Sequence, residues 1–156
     1  MLLLKNMGLE NITKKLERIG ELVEELKSLF FGSFAEFEKD FRTVRTAERD
    51  FQLIVDLISD INTEIILDRG GRTPDTYKDS MSGLEKLGLL EADISQKLIE
   101  AARIRNILVH EYDFEEDHNK FYSSGKTITP FFEEYIKTIH RYIKKEKNPS
   151  KNGQGI

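Results

Sequence analysis

Apolar residues recur every three or four positions along most of the chain, which is the spacing of one face of an α-helix. The first stripe follows Asn11, a residue type that caps helix N-termini, and ends before Gly32 and Ser33. Its members are Ile12, Leu16, Ile19, Val23, Leu26 and Phe30. The pattern predicts a first helix that begins at Asn11, and Ser33 can cap the helix that follows.

The longest stripe begins at Phe34 and keeps the same spacing as far as Ile65. Its apolar members are Phe34, Phe37, Phe41, Val44, Phe51, Val55, Ile58 and Ile65, and its two polar interruptions are Glu48 and Asn62. A second apolar set is added from Leu53 onward, made of Ile54, Leu57 and Ile61. We therefore predict one long central helix, covered on two sides in its second half and ended by Gly70-Gly71.

Two further helices are predicted between this central helix and residue 110. Thr73-Pro74 is typical of an N-cap followed by a first-turn proline, so a short helix is expected from Pro74 to about Leu87, closed by Gly88. The next helix is predicted from about Ala92 to His110. It is the helix that carries the most unusual combination of side chains in the chain.

A last helix is predicted to begin at Thr129-Pro130, which repeats the cap signal, after a connection that spans residues 113–126. Its apolar face consists of Phe131, Phe132, Tyr135, Ile136, Ile139, Tyr142 and Ile143. No alternating strand pattern is present in the sequence. We therefore expect an all-α fold, an antiparallel up-and-down bundle of four to five helices, with one domain over residues 1–143 and a disordered tail over residues 144–156.

Composition narrows the classes of function. The chain lacks cysteine, which excludes thiolate chemistry, and has neither a signal-peptide pattern nor an apolar run long enough to span a membrane, so a cytoplasmic protein is expected. The net charge of -4 predicts that any RNA site is a local basic patch. Basic residues able to form one are Arg42, Arg45, Arg49, Arg103, Arg141, Lys144 and Lys145.

Arg105 lies within the apolar stripe of the predicted 92–110 helix. The stripe is made of Ile94, Leu98, Ala101, Ala102, Arg105, Val109 and Tyr112. A guanidinium keeps its charge at ordinary pH, so it needs a counter-charge, a wet pocket or an interface. One interpretation is a structural ion pair with Glu48, which interrupts the central stripe in the same way. The other is a functional cleft, since Asn106 and His110 lie four residues apart at the edge of the same arc.

The residues Arg105-Asn106, followed by His110-Glu111-Tyr112, resemble the signature of HEPN domains, in particular the HepT toxins of HEPN/MNT toxin–antitoxin modules. The position of the motif near the end of a late helix is also similar, and residues 47–66 look like the long central helix of that family. The resemblance covers residues 12–143. It implies a metal-independent, cofactor-free endoribonuclease that acts as a cytoplasmic homodimer, with both copies of the motif lining one cleft.

The resemblance also implies a role for each motif residue. Arg105 would hold the scissile phosphate, and His110 would move a proton at the ribose 2′-hydroxyl or the departing 5′-oxygen, because histidine is suited to proton transfer near neutral pH. Asn106 would orient the phosphate or the imidazole. Tyr112 would be AMPylated by a cognate MNT nucleotidyltransferase antitoxin, which would place an anionic nucleotide beside Arg105.

Two other functions compete with a ribonuclease. The first is a non-catalytic HEPN-like module in which the motif binds a nucleotide or a partner protein. The second is a helical scaffold in which Arg105 only pairs with Glu48. An acidic run that follows the motif, made of Asp113, Glu115, Glu116 and Asp117, would oppose RNA binding unless it points away from the cleft.

Overall fold

A computed structural model describes residues 2–110 and 118–148 of the protein. These residues form six α-helices: α1 (Leu2–Leu29), α2 (Phe34–Lys39), α3 (Phe41–Asp68), α4 (Tyr77–Lys86), α5 (Ala92–His110) and α6 (His118–Lys147). The predicted all-α class is confirmed. Of the helices in the described ranges, none is long and apolar enough to cross a membrane.

The four long helices form a ring in which α1 packs on α3, α3 on α5, α5 on α6, and α6 on α1. Contacts along α1 and α3 show that they are antiparallel, since Asn11 reaches Glu64 while Glu25 lies beside Asp50. Helix α6 runs antiparallel to α1 and parallel to the diagonal α3. The chain therefore makes an up-down-up-down bundle, with α2 lying against α3 and α6, and α4 against α3 and α5.

Helix α1 begins at Leu2, so the predicted start at Asn11 is wrong. Leu9 is buried and extends the apolar stripe by almost a turn towards the N-terminus. The side chain of Asn11 caps nothing. Its amide instead donates to Oε1 of Glu64 on α3 at 2.8 Å. The side chain that was predicted to cap a helix therefore links two helices.

The single central helix predicted from Phe34 is interrupted at Asp40, and that prediction is corrected. Ser33 caps α2 as expected, accepting from the backbone N–H of Glu36 at 3.2 Å. Asp40 then takes an extended conformation, and its carboxylate accepts from the backbone N–H of Arg42 at 2.9 Å. The extended backbone of Asp40 therefore ends the six-residue α2, and its carboxylate caps the 28-residue α3. The apolar spacing continues unchanged across this break.

Helix α4 begins at Tyr77, three residues after the predicted start at Pro74. Thr76, and not Thr73, is the cap, and its hydroxyl accepts from the backbone N–H of Asp79 at 3.0 Å. The predicted bounds of α5 are confirmed. Gly70, with φ of +83°, ends α3 at the glycine pair, as the sequence indicates.

Helix α6 begins at His118, so the predicted start at Thr129-Pro130 and most of the expected connection are wrong. Pro130 lies inside the helix, and the hydroxyl of Thr129 donates to the carbonyl of Gly125 at 2.7 Å. Packing compensates for the backbone hydrogen bond that a proline lacks. Just after the proline, the buried Phe132 ring makes an edge contact with Phe51, and just before it Gly125 lies against the Phe30 ring.

The C-terminal end of α6 also lies beyond the expected boundary. Its helical conformation continues to Lys147, four residues into the segment 144–156 that was expected as a tail. Glu146 explains this extension, because its carboxylate pairs with Lys5 of α1 at 2.8 Å and with Arg69 at the end of α3 at 3.2 Å. Residues 149–156 lie outside the described part of the chain.

Candidate functional site

Arg105 lies on the face of α5 that packs towards α3 and α4. The preceding stripe residues are buried, as predicted: Ile94, Leu98, Ala101 and Ala102. The Arg105 side chain is 19% exposed, so the guanidinium lies at the edge of the core. It is neither sealed in the interior nor fully in solvent.

An acid and an aromatic ring hold the guanidinium. Nε of Arg105 donates to Oδ1 of Asp56 on α3 at 3.0 Å, and the guanidinium carbon lies 4.6 Å from the centre of the Tyr77 ring on α4. Burial, followed by hydrogen bonding and charge repulsion from Asp56, raises the pKa of Tyr77 above its ordinary value. Three helices thus meet at Arg105, and each contributes one side chain.

The structure corrects the expected partner of Arg105 from Glu48 to Asp56. Glu48 is buried, and its Oε2 lies 3.9 Å from Nη1 of Arg45 one turn earlier on α3. Burial raises the pKa of the Glu48 carboxyl, and the charges of Arg45 and His118 partly offset that increase. The scaffold alternative therefore loses its proposed ion pair, although Arg105 does have a counter-charge.

Asn106 lies next to Arg105 and contacts it directly. Nη1 of Arg105 donates to Oδ1 of Asn106 at 3.4 Å, and Asn106 itself is exposed. In the described ranges, Nη2 of Arg105 makes no hydrogen bond. Because Asp56 occupies only the Nε edge, donors on the Nη side remain for an incoming oxyanion.

His110 is the last residue of α5 and is exposed. It follows Asn106 by four residues and so shares its face of the helix, whereas it is turned by about 140° from Arg105. Within the described ranges, the imidazole makes no hydrogen bond or ion pair. One copy of the chain therefore brings Arg105 and Asn106 together but does not bring His110 against Arg105.

Tyr112, the predicted modification site, lies outside the described residues. So does the acidic run from Asp113 to Asp117 that the sequence places after the motif.

Sequence reasoning missed Asp56 and Tyr77. Asp56 carries a detectable signal, because it is an acid between Val55 and Leu57 in the part of α3 where apolar residues cover two sides. Tyr77 carries none, since its position under the guanidinium depends on how α4 folds back against α3 and α5. For both residues, the contact with Arg105 depends on how the helices pack against one another.

The four-helix ring, with Arg105, Asn106 and His110 near the end of its third long helix, defines a HEPN-type helical bundle. The family model described as "Ribonuclease HepT-like" matches residues 16–139. The chain belongs to the HepT-like ribonuclease family, and the resemblance inferred from the motif is confirmed.

Related proteins agree with this assignment. The chain is 26% identical over 132 residues to a tRNA nuclease HepT of Aphanizomenon flos-aquae, covering 85% of this chain and 89% of the relative. A tri-AMPylated HEPN toxin of Shewanella oneidensis, solved in complex with its MNT antitoxin, has a similar fold with a TM-score of 0.71. It is 22% identical, with coverage of 83% of this chain and 96% of that chain.

A second solved structure, a toxin–antitoxin complex with AMP-PNP, has a TM-score of 0.74. It is 22% identical, and the alignment covers 83% of this chain and 97% of that chain. The cytosolic protein YutE of Bacillus subtilis has a TM-score of 0.70 at 20% identity, with coverage of 86% and 92%. At these identities the likeness supports the fold.

Proposed function

We propose that this protein is a HepT-type toxin, an endoribonuclease that cleaves RNA by attack of a ribose 2′-hydroxyl on the adjacent phosphate, with no metal requirement. The observation that carries the proposal is the partial exposure of Arg105 together with its one-sided pairing to Asp56. Asp56 binds the guanidinium through one nitrogen at 3.0 Å, and the side chain remains 19% exposed. A phosphate can therefore approach the Nη donors without breaking the ion pair, and the guanidinium would stabilise charge that develops on the phosphate oxygens.

His110 is proposed as the proton-transfer residue. Its exposure at the end of α5 makes it accessible to a polynucleotide, and an imidazole can accept a proton from the 2′-hydroxyl or donate one to the 5′-oxygen that leaves. Asn106, on the same face and bonded to Arg105, is proposed to orient the phosphate or the imidazole. The products would be a 2′,3′-cyclic phosphate and a 5′-hydroxyl.

A homodimer is proposed because one chain leaves the site incomplete. The Arg105 and His110 side chains leave α5 in directions about 140° apart, and both reach the edge or surface of the bundle. A second copy packed over this end of α5 would form a cleft that contains two guanidinium groups and two imidazoles. In such a cleft, Arg105 of one protomer and His110 of the other can approach the same phosphate.

Control by a cognate MNT-type nucleotidyltransferase antitoxin is also proposed, with Tyr112 as the AMPylated residue. The support comes from the family and from the AMPylated HEPN toxin of similar fold solved in complex with its MNT antitoxin. An added AMP group brings a phosphodiester, with one negative charge and two non-bridging acceptor oxygens, close to Arg105 in sequence. It would compete with substrate phosphate for the same donors.

The test uses purified protein incubated with total RNA and with tRNA in the presence of EDTA. We expect cleavage that leaves 2′,3′-cyclic phosphate ends, and a loss of activity of at least about a hundredfold in Arg105→Ala and His110→Ala, as is typical when a general acid–base residue is removed. His140→Ala is the matched control, since it removes an exposed histidine from α6 and should retain full activity.

Two results would contradict the proposal. Cleavage that persists in His110→Ala at the wild-type rate would point to a contaminating nuclease. A wild-type protein that arrests no growth and cuts no RNA, but loses binding of a nucleotide or a protein on Arg105→Ala, would support the non-catalytic binding module instead. Circular dichroism and thermal melting of each variant establish that a lost activity is not a lost fold.

A further inference from the structure

Helix α3 carries an arginine stripe on its exposed face, near its N-terminus. Arg42, Arg45 and Arg49 are all exposed and follow one another at three and four residues. Rotation by 100° per residue places them within about 60° of one another on the helix. The arginine stripe, defined by these three residues, therefore presents three guanidinium groups in one direction.

The charge of this stripe is only partly balanced by acids on α3. Glu48 is the only acid among residues 41–49, and it is buried, 3.9 Å from Arg45. In the described ranges, the guanidinium groups of Arg42 and Arg49 form no ion pair with a carboxylate, and Asp40 contacts only the backbone N–H of Arg42. The chain as a whole has a net charge of -4. The stripe places three cations on a small surface with no exposed acid between them, so the electrostatic potential there is positive.

The arginine stripe leads along α3 towards the candidate site at Asp56 and Arg105. Gln52 and Asp56 continue the same face of α3, within about 80° of arc, and Asp56 is the residue that holds Arg105. At 1.5 Å per residue, Arg49 lies about 10 Å and Arg42 about 21 Å along the axis from Asp56. The interval suits a strand of roughly six nucleotides, taking about 3.4 Å per phosphate along a stacked strand.

An aromatic side chain lies at the far end of the stripe. Phe41 is 63% exposed, unusual for a phenylalanine, and the guanidinium of Arg45 stacks over its ring at 4.7 Å from the centroid. Exposed aromatic rings interleaved with arginines are what single-stranded nucleic acid needs, because bases stack on the rings while phosphates pair with the guanidinium groups. A protein partner with an acidic face would not require the exposed ring.

We propose that the arginine stripe, together with Phe41, is the track on which the RNA strand binds as it leads to Arg105. This inference rests on the proposed ribonuclease function and adds to it the surface that holds the substrate outside the reacting bond. Arg42, Arg45 and Arg49 bind successive phosphates, and Phe41 stacks on a base about 20 Å from the scissile position.

The test measures binding separately from cleavage. The protein carries His110→Ala so that the RNA stays intact, and a fluorescein-labelled single-stranded 20-mer is titrated by anisotropy between 0.05 and 0.2 M salt, concentrations on the scale where phosphate contacts dominate. The triple variant Arg42→Ala, Arg45→Ala, Arg49→Ala is expected to bind at least about tenfold more weakly. The slope of log K against log salt should fall by about two, at roughly 0.7 per phosphate contact.

A matched control separates the track from general charge. Arg72→Ala, Lys86→Ala and Lys137→Ala together remove the same three charges from exposed positions away from the stripe, and should change affinity less than about threefold. Replacement of the three stripe arginines by lysine should restore most of the binding. Phe41→Ala should weaken binding by about fivefold or more, and that effect should vanish with an abasic strand.

The outcomes separate this proposal from the proposed function. Equal losses in the stripe variant and the matched control, or no RNA binding at all, would overturn the track. Unchanged RNA binding with lost antitoxin binding in the stripe variant would also overturn it, since the surface would then be a protein interface. RNA binding that depends on the stripe, in a wild-type protein that cleaves no RNA, would keep the track and reject the nuclease.

Discussion

Nε of Arg105 donates to Oδ1 of Asp56 at 3.0 Å, and this pair joins the last turns of α5 to the middle of α3. Its side chains are 19% and 32% exposed, so solvent screens the pair and its contribution to stability is modest. The pair has a larger effect on the orientation of the Arg105 guanidinium. A guanidinium fixed at one edge and stacked on Tyr77 offers its other donors in a defined direction.

Asp56→Asn is therefore expected to lower the free energy of unfolding by only about 1 kcal/mol. The same change should raise KM for RNA or lower kcat by more than this stability loss explains, because the guanidinium loses its fixed orientation. Asp60→Asn, an exposed acid one turn further along α3, is the control and should change neither quantity. Urea denaturation and steady-state cleavage measure the two effects, and equal behaviour of both variants would contradict the positioning role.

A second prediction concerns the pH dependence that Asp50 causes. Burial, followed by hydrogen bonding and repulsion from Glu25, raises the pKa of Asp50 to about 7, while Arg18 opposes the shift. The folded state thus holds the proton more tightly than the unfolded chain, whose pKa is near 3.8. The stability that this proton contributes is complete below about pH 4 and is lost as the pH rises through 7.

Asp50→Asn should remove this pH dependence. At pH 8 the variant is expected to be more stable than wild type by on the order of 2 kcal/mol, and at pH 4 the two should be nearly equal. Urea midpoints at intervals between pH 4 and 8 measure the difference. Wild-type stability that increases between pH 5 and 8 while the variant stays flat would contradict the assigned direction.

A third prediction concerns the buried hydrogen bond between α6 and α3. The Tyr135 hydroxyl donates to Oδ1 of Asn62 at 2.6 Å, and both residues are fully buried. Nδ2 of Asn62 also contacts the sulfur of Met81 at 3.2 Å. This explains how a polar residue can interrupt the apolar stripe of α3 without a large penalty.

Tyr135→Phe should cost about 1–3 kcal/mol, because it leaves the buried amide oxygen of Asn62 without its donor while the packing is retained. In the comparison variant Tyr77→Phe, a hydroxyl is removed from a half-buried ring, and the loss should be below about 1 kcal/mol. Chemical denaturation of both variants provides the comparison. An equal loss of unfolding free energy in both variants would contradict a specific contribution from the buried hydrogen bond between Tyr135 and Asn62.

A fourth prediction compares two helical glycines. A Cβ on Gly125 would lie 2.7 Å from the Phe30 ring, whereas a Cβ on Gly20 would meet nothing within 4 Å. Alanine raises helix propensity by up to about 1 kcal/mol at either position. We expect Gly20→Ala to raise the melting temperature by about 2–4 °C and Gly125→Ala to lower it, because the tightly packed ring must move. A higher melting temperature in both variants would contradict the close packing of α6 on Phe30.

The apolar spacing predicted the α-helical class and the buried faces of α1, α3 and α5, and the glycine pair predicted the stop at Gly70, since each depends on contacts within a few residues. Arg105 also stood out in the sequence, because a charge inside an apolar stripe has few physical solutions. These features are local. They follow from the periodicity of one helix and from the solvation of one side chain.

Packing between helices decided the rest. Pro130 lies inside α6 and not at its start, because the packing of Gly125 on Phe30 and of Phe132 on Phe51 holds the helix on both sides of the missing hydrogen bond. Asp56, and not Glu48, pairs with Arg105 because the antiparallel register of α3 and α5 places it at the same level. A side chain's partner depends on the rotation and offset of a second helix, and no pattern within one segment encodes those two quantities.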